Sequence, residues 1–247
     1  MEILEFGNIN NPKMLLIHGF QSPYQVWDEY INYYKDEYHV IVPVLPGHNP
    51  KLNDRFESME KIILEIEQFI LKYSDSINVV YGMSMGGMIA SLLWQNKKIK
   101  INKLILDGAP ILGMSSLIKP IITKSYINLT SKCKNRDEKV LNQAIGSFIR
   151  KENFNDFLSV MDEITNEDIK GYVSAISRYK LPKNISSDTK IIFYHGTKFS
   201  DALGKKGAKY IKKYYKNSKI IKMNGLGHCE TAFLRPVEMI KLLNEEL

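Results

Sequence analysis

The sequence predicts an α/β fold in which one mainly parallel sheet of about seven strands carries helices on both faces. Its 247 residues suit one large domain, and short β-branched runs alternate along them with longer helical patterns. Several of the short runs are apolar throughout, as expected of strands that helices cover on both faces. The composition, 44% hydrophobic and 25% charged, is that of a globular protein with a substantial core.

Seven runs have the length and the composition of strands. They are residues 2–6, 13–18, 38–43, 77–81, 101–106, 190–195 and 219–223. The clearest helix between them covers residues 58–73, where apolar side chains recur every three or four positions and Ser58 can cap the first turn. The last helix is expected to open at Pro236, because the fixed φ of proline suits the first helical position.

Residues 113–188 break this alternation, because about 75 residues pass there without a convincing strand and a crossover needs far fewer. Helical patterns cover residues 114–128, 137–151, 154–164 and 166–179. We expect a helical cap or lid inserted in a core formed by residues 1–112 and 189–247. Its candidate pocket-lining residues, which suit a plain core equally well, are Met114, Phe148, Phe154, Phe157 and Met161.

The charge and cysteine content are those expected of a protein of a reducing compartment with no nucleic-acid partner. The net charge is +7, and eight lysines fall in residues 203–225 without one acid. Their helical spacing around Ile211 is typical of the solvent-exposed face of an amphipathic helix. Because no nucleic-acid-binding motif accompanies them, no nucleic-acid partner is expected. Cys133 and Cys229 match neither a zinc site nor a disulfide framework. Without a signal-peptide pattern or an apolar run near about 18 residues, we expect a cytoplasmic protein with no membrane span.

The stretch Gly82-Met83-Ser84-Met85-Gly86 sets a serine between two glycines where the fourth predicted strand meets a helix. The chain must reverse there within a few residues, which strains the serine and leaves no room for side chains at the flanking glycines. The Ser84 hydroxyl is thereby exposed at the carboxyl edge of the sheet. This is the G-x-S-x-G pattern of a nucleophile, and the alternative of an inert serine at a helix start is weaker in this setting.

A nucleophilic serine needs a base, and the chain has five histidines. His228 follows the last predicted strand in a glycine-rich loop and precedes the final helix, which makes it the candidate base. His18 is expected to shape a turn and His48 lies in a Pro-Gly loop, whereas His39 and His195 lie at strand ends. A structural role is favoured for these four.

Two aspartates are candidates for the carboxylate that would orient the histidine. Asp201 follows the predicted strand 190–195, although it could instead cap a helix that begins at Ala202. Asp107 ends the strand 101–106, although it could instead be a turn residue before Gly108. Asp201 is favoured and Asp107 stays open as the rival.

Two main-chain amides are candidates for holding the negative charge of a reacting carbonyl oxygen. The Met85 amide belongs to the first turn of a helix, where unpaired N–H donors and the positive end of the helix dipole lie. The Phe20 amide follows Gly19, which lets the backbone approach closely, and is expected to point into the same space.

These residues together resemble the α/β-hydrolase superfamily. The matching segments are its oxyanion loop at residues 18–27, a Pro-Gly turn at 45–48, the elbow at 82–87 and the histidine loop at 225–236. The resemblance spans the whole chain, with residues 113–188 in the place of the family's cap, after the strand at the family's sixth position. It implies the α/β-hydrolase fold, a triad containing Ser84 and His228, and an oxyanion hole at Phe20 and Met85.

Three features depart from the family pattern. Val44 stands where members often have aspartate, and Phe199 stands where the acid would follow Gly196. The second departure is the reason that both acids stay open. The short N-terminal region also indicates a sheet without a full first hairpin.

The expected activity is that of a serine hydrolase, esterase-like or lipase-like, which cleaves a carboxylic ester or a thioester of a small or medium acyl group through an acyl-enzyme. No metal or organic cofactor is implied, and the oligomeric state is left open. The rival function is a lyase or a carbon–carbon bond hydrolase of the same fold, similar to the menaquinone-pathway lyase. That lyase typically has arginine after its elbow, where this chain has Met88. A noncatalytic ligand-binding member would be expected to lack the serine or the histidine.

Overall fold

The computed structural model describes residues 1–185 and 187–247, in which the seven predicted strands form a single sheet. The strands are β1 (Glu2–Phe6), β2 (Lys13–Ile17), β3 (His39–Val44), β4 (Ser76–Met83), β5 (Lys100–Asp107), β6 (Lys190–Gly196) and β7 (Ser218–Met223). Their order across the sheet is β1-β3-β2-β4-β5-β6-β7. Only β1 pairs antiparallel, with β3, and the other neighbours are parallel. The prediction of a mainly parallel sheet is therefore confirmed.

Helices connect these strands and cover both faces of the sheet. They are α1 (Asp28–Tyr34), α2 (Met59–Ile70), α3 (Met85–Asn96), α4 (Lys119–Lys134), α5 (Glu138–Ala144), α6 (Phe154–Glu163), α7 (Asn166–Arg178), α8 (Ala202–Tyr214), α9 (Glu230–Leu234) and α10 (Pro236–Asn244). The helices α2, α3 and α8 contribute to the core on one face, and α1 and α10 contribute to the core on the other. None of the described helices combines the length and the apolar character that a membrane span needs.

Successive residues of the central strand β2 belong alternately to these two cores. Leu15 and Ile17 pack in one core, and Met14 and Leu16 pack in the other. Both faces of the strand are therefore dry, which is why the sequence of the central strands reads as continuously apolar instead of alternating.

The lysine-rich region near the C-terminus forms the predicted amphipathic helix. In α8 the buried positions are small or aliphatic, Gly204, Gly207, Ala208 and Ile211. The five lysines of this helix lie between them on its other faces. Solvation of lysines is thus sufficient to explain this charge run.

The chain between β5 and β6 forms α4 to α7, so the predicted helical segment 113–188 holds four helices between Lys119 and Arg178 in its described part, which leaves out Ser186. Three helix bounds in this segment differ clearly from the predictions, one of them being the end of α4 at Lys134 instead of residue 128. The helix predicted at 114–128 begins only at Lys119, because Pro120 occupies its first turn, a position that proline favours. The helix predicted at 137–151 ends at Ala144, because the chain turns at Gly146, whose φ is +78°.

Candidate active site

The turn between β4 and α3 holds Ser84 in an unusual backbone conformation. Its φ of 51° and ψ of −118° are strained for a residue with a side chain. A Cβ on Gly82 would lie 2.3 Å from the Gly86 carbonyl oxygen, and one on Gly86 would lie 2.1 Å from the Ile17 carbonyl oxygen. Only glycine fits at either position. The Ser84 amide donates to the Asp107 carbonyl oxygen at 2.7 Å, which ties the turn to the end of β5.

The structure brings Ser84, His228 and Asp201 together in one chain of hydrogen bonds. The His228 Nδ1–H donates to Asp201 Oδ1 at 2.7 Å, and the Ser84 hydroxyl donates to His228 Nε2 at 2.8 Å. Because an ionised carboxylate can only accept, Asp201 places the ring proton on Nδ1 and leaves the Nε2 lone pair for the serine. The Asp201 side chain is fully buried, whereas 32% of the His228 side chain is exposed.

Asp201 lies two residues after the position at which the family pattern places the acid. A short helical turn explains how its side chain nevertheless reaches the histidine. Residues 199–201 form one turn of 3₁₀-helix after β6. Phe199, at the position where the family pattern places the acid, is 91% exposed and points to solvent. Asp201 instead turns inward, and its Oδ2 accepts from the Gly196 amide at 2.6 Å. The alternative that Asp201 caps α8 is not what the structure shows, since its side chain makes no capping hydrogen bond.

Asp107, the rival acid, lies close by but does not contact the imidazole. Its carboxylate accepts from the Tyr81 hydroxyl at 3.3 Å, and its main-chain oxygen accepts from the Cys229 thiol at 3.3 Å. The expectation that Asp107 could orient His228 is therefore corrected, because β5 directs this side chain toward Tyr81 beneath the elbow. Burial raises the pKa of Asp107 to about 7.

This raised pKa predicts a specific dependence of stability on pH. Between about pH 4 and pH 7 the folded protein keeps a proton on Asp107 that the unfolded chain, with an ordinary pKa near 3.8, releases. The free energy of unfolding contributed by this group should therefore fall as the pH rises through that window, by up to about 1.4 kcal/mol per pH unit.

Urea unfolding of the wild type and of Asp107→Asn at several pH values from 4 to 8 measures this contribution. The free energy of unfolding of the wild type minus that of the variant should decrease steadily toward pH 7 and level off above it, since the asparagine side chain does not titrate. A difference that stays constant across the series would contradict the raised pKa.

The two candidate oxyanion amides both lie beside Ser84. A Cβ on Gly19 would approach the Ser84 Cβ to 3.5 Å, so the loop that carries Phe20 passes directly over the serine. Met85 is the first residue of α3, so its amide has no acceptor within the helix. Across the described chain, no hydrogen bond outside the helices and strands uses the amide of Phe20 or Met85. Both N–H groups are thus free to donate to a ligand.

A cavity of about 580 Å³ opens over Ser84 and His228. Of the five apolar residues predicted to line it, three do so, namely Phe148, Phe157 and Met161. Met114 and Phe154 pack against the hydrophobic cores instead. Lining residues that sequence reasoning missed are Tyr126, Leu129 and Phe233. Nothing in the sequence marks these three, because apolar residues on an amphipathic helix suit a core equally well.

Sequence reasoning also missed two residues that hold the histidine loop. Glu230 accepts from the Gly227 amide at 2.7 Å and pairs with Lys198 at 2.9 Å on the cavity rim. The three-residue spacing from Gly227 to Glu230 is the signal that could have revealed it. Cys229 has a φ of 50°, and burial raises the pKa of its thiol, which keeps it protonated to donate to Asp107.

In the part of the chain that the structure describes, no group of three or more metal-ligating side chains is close enough to hold a metal ion.

Comparisons with known proteins agree with this architecture. A family model described as the α/β hydrolase fold matches residues 12–128. No curated protein sequence matches the chain. The match includes both the loop that carries Phe20 and the turn that carries Ser84.

Solved structures resemble the chain over nearly its whole length. An α/β hydrolase family protein from Desulfitobacterium hafniense is 21% identical, with a TM-score of 0.80 and coverage of 99% of each chain. A carboxylesterase structure from Nitrososphaera gargenis is 16% identical, with a TM-score of 0.75 and coverage of 99% of this chain and 92% of that one. MenH from S. aureus is 20% identical, with a TM-score of 0.67 and coverage of 98% and 96%.

The family model covers the turn at Ser84, and the structural likeness covers nearly the whole chain. They extend the resemblance first drawn from four short segments to the whole sheet and its helices. The chain has the α/β-hydrolase fold.

Proposed function

We propose that this protein is a serine hydrolase that cleaves carboxylic esters of small or medium acyl groups, with thioesters as a second substrate class. One observation carries the proposal: an unbroken series of hydrogen bonds runs from the buried Asp201 through His228 to Ser84, at the floor of a cavity of about 580 Å³. A serine paired with a base that a carboxylate orients is the arrangement that acyl transfer requires.

In the first half of the reaction, Ser84 Oγ attacks the carbonyl carbon of the ester while His228 Nε2 takes the serine proton. Asp201 stabilises the imidazolium that forms. The carbonyl oxygen becomes an oxyanion, and the amides of Phe20 and Met85 donate to it. When the tetrahedral intermediate collapses, His228 returns the proton to the departing alcohol or thiol, and the acyl group stays on Ser84.

In the second half, water replaces the alcohol. His228 Nε2 takes a proton from the water as its oxygen attacks the acyl carbon, and the same two amides hold the second oxyanion. The proton then passes to Ser84 Oγ as the acyl bond breaks, which releases the carboxylic acid and restores the starting hydrogen bonds.

The helical segment 113–188 acts in this proposal as a cap on a core of residues 1–112 and 189–247. Tyr126 and Leu129 of α4, with Phe157 and Met161 of α6, give the cavity an apolar wall. Such a wall favours an acyl chain over a charged group, because burying an unpaired charge is costly. The carboxylesterase structure from Nitrososphaera gargenis, at 16% identity, shares this fold.

The rival reaction, a lyase similar to MenH, has less support from the structure. The position after the elbow that is typically arginine in the menaquinone-pathway lyase holds Met88, a residue of α3 that is fully buried in the core. It offers no charge to an anionic substrate. The likeness to MenH, at 20% identity, is a likeness of fold.

The proposal is tested by running p-nitrophenyl esters from acetate to decanoate, acyl thioesters and lactones against the protein. We expect saturable hydrolysis of the esters, and a rapidly quenched reaction should show one acyl group bound at Ser84 by intact-mass and peptide mass spectrometry. Turnover of the esters without any acyl adduct at Ser84, or no turnover of esters and thioesters, would reject the acyl-enzyme.

A further inference from the structure

Two buried histidines hold the loop that carries Phe20 from opposite ends. The first is His18, at the end of β2, whose side chain contacts two main-chain groups. Its Nε2 lies 3.1 Å from the Leu45 amide, and its Nδ1 lies 2.9 Å from the Gly19 carbonyl oxygen. An amide can only donate, so Nε2 accepts and Nδ1 carries the proton that is donated to Gly19. The surrounding main chain therefore selects one tautomer.

The second histidine, His48, has the same tautomer for the same reason. Its Nε2 accepts from the Gln21 amide at 3.0 Å, and its Nδ1–H donates to the Pro46 carbonyl oxygen at 3.0 Å. Gln21 has a φ of 56°, which is unfavourable for a residue with a side chain. The bond from His48 holds it in that conformation.

These contacts involve the peptide unit that would bind the oxyanion. The Gly19 carbonyl and the Phe20 amide belong to one planar trans peptide, so they point in opposite directions. With the Gly19 oxygen bound to His18, the Phe20 N–H faces away from that ring. The next peptide unit, between Phe20 and Gln21, is fixed by His48. The main chain on both sides of Phe20 is thus held by a side chain.

Both rings lie in a site where they stay uncharged. His18 and His48 are buried, with ring centroids 5.2 Å apart, and the rings of Phe20 and Tyr172 pack against His48. Burial lowers the pKa of His18 to about 3 and that of His48 to about 4. Each ring therefore keeps one acceptor and one donor near neutral pH, as both sets of contacts require.

We infer that His18 and His48 are positioning residues for catalysis, which orient the Phe20 amide toward the oxyanion through the Gly19 carbonyl and the Gln21 amide. The inference rests on the proposed function, in which the Phe20 amide is an oxyanion donor. Neither ring touches the substrate in this arrangement. Each acts through the main chain of the loop, His18 by a donor at Nδ1 and His48 by an acceptor at Nε2.

The different atoms used by the two rings allow a crossed test. The carboxamide of asparagine reaches the place of a histidine Nδ1, and that of glutamine reaches the place of Nε2. His18→Asn keeps the donor to Gly19 and His18→Gln loses it. Conversely, His48→Gln keeps the acceptor for Gln21 and His48→Asn loses it. The favourable substitution is thus asparagine at one position and glutamine at the other.

We expect His18→Gln and His48→Asn to lower kcat for ester hydrolysis on the order of 10²-fold, the usual effect of one lost oxyanion donor. His18→Asn and His48→Gln should stay within about fivefold of wild type, with KM little changed in all four variants. The affinity for a boronic acid that forms a tetrahedral adduct with Ser84 should fall in parallel with kcat/KM. His39→Asn is the matched control, because His39 is equally buried but pairs with Glu5 between β1 and β3, and its kcat should not change.

If the two histidines only stabilised the fold, the loss of kcat in each variant would follow its loss of thermal stability. It would not depend on whether asparagine or glutamine replaces the histidine. Unfolding temperatures are therefore measured for all five variants. Equal kcat in the two substitutions at each position, or kcat losses that follow the unfolding temperature alone, would overturn the inference. With Ser84→Ala inactive in the same assay, that result leaves the proposed function standing. Full activity of Ser84→Ala would instead reject both the proposed function and the inference about the two histidines.

Discussion

Replacing Ser84 with alanine should lower kcat for ester hydrolysis on the order of 10⁶-fold, which is among the largest effects expected of a single substitution in this protein. The hydroxyl is the only group at the elbow that can attack a carbonyl carbon and then carry the acyl group. Alanine keeps the Cβ at the same strained φ, so the turn between two glycines is unchanged. The fold should therefore survive, which circular dichroism and the unfolding temperature can verify.

Two measurements check this loss. The first is the steady-state rate with a p-nitrophenyl ester, and the second is covalent labelling by a fluorophosphonate, which requires the same nucleophile. Ser91→Ala is the matched control, because Ser91 is a buried serine about two helical turns further along α3 whose hydroxyl donates to the Gly87 carbonyl oxygen at 2.8 Å. It should keep full rate and full labelling. Undiminished labelling of Ser84→Ala would show that another residue is the nucleophile.

Asp201→Asn should lower kcat about 10⁴-fold. A carboxamide can donate to the ring through its NH₂ group, which favours the tautomer with the proton on Nε2. That tautomer of His228 has no lone pair for the Ser84 hydroxyl, so the serine loses its base although every atom stays near its place. The steady-state kcat with a p-nitrophenyl ester, measured for the wild type and the variant, checks this loss.

Asp107→Asn is the control for this prediction, since Asp107 is the other buried aspartate near the elbow. Its carboxylate contacts Tyr81 and not the imidazole, so the variant should keep kcat within about tenfold of wild type. The opposite order, a large loss in Asp107→Asn and a small one in Asp201→Asn, would reassign the carboxylate that orients His228. Equal small losses would show that neither carboxylate is needed.

The fold was readable from the sequence because of where its strands lie. A strand between two layers of helices has no solvent-exposed face, so β2, β3, β4 and β5 appear in the sequence as apolar runs. Their predicted bounds agree with the structure to within two residues. The helical segment was harder to predict. The start of α4 at Lys119 depended on one proline in its first turn, and the end of α5 depended on the turn at Gly146.

The candidate site could be predicted in unequal parts. Ser84 and His228 stood out because each lies among glycines whose absence of a side chain is required by local geometry. The choice between Asp201 and Asp107 could not be made from spacing, since it depends on the 3₁₀ turn at residues 199–201 and on which way β5 directs its last side chain. The contacts of His18 and His48 were invisible for a related reason, because their partners are main-chain groups that have no sequence signature.

The two ends of the helical segment between β5 and β6 lie side by side, which has a consequence for how such a protein can diverge. The Met114 amide donates to the Ser177 carbonyl oxygen at 3.0 Å, and the Leu181 amide donates to the Ile111 carbonyl oxygen at 2.9 Å, so the long excursion that forms α4 to α7 begins and ends at adjacent points. Lengthening or exchanging that excursion need not disturb the sheet, because loop-closure entropy grows only slowly with length. Ser84, Asp201 and His228 all lie outside it. Natural selection could therefore remodel what enters the cavity while the reacting groups keep their places.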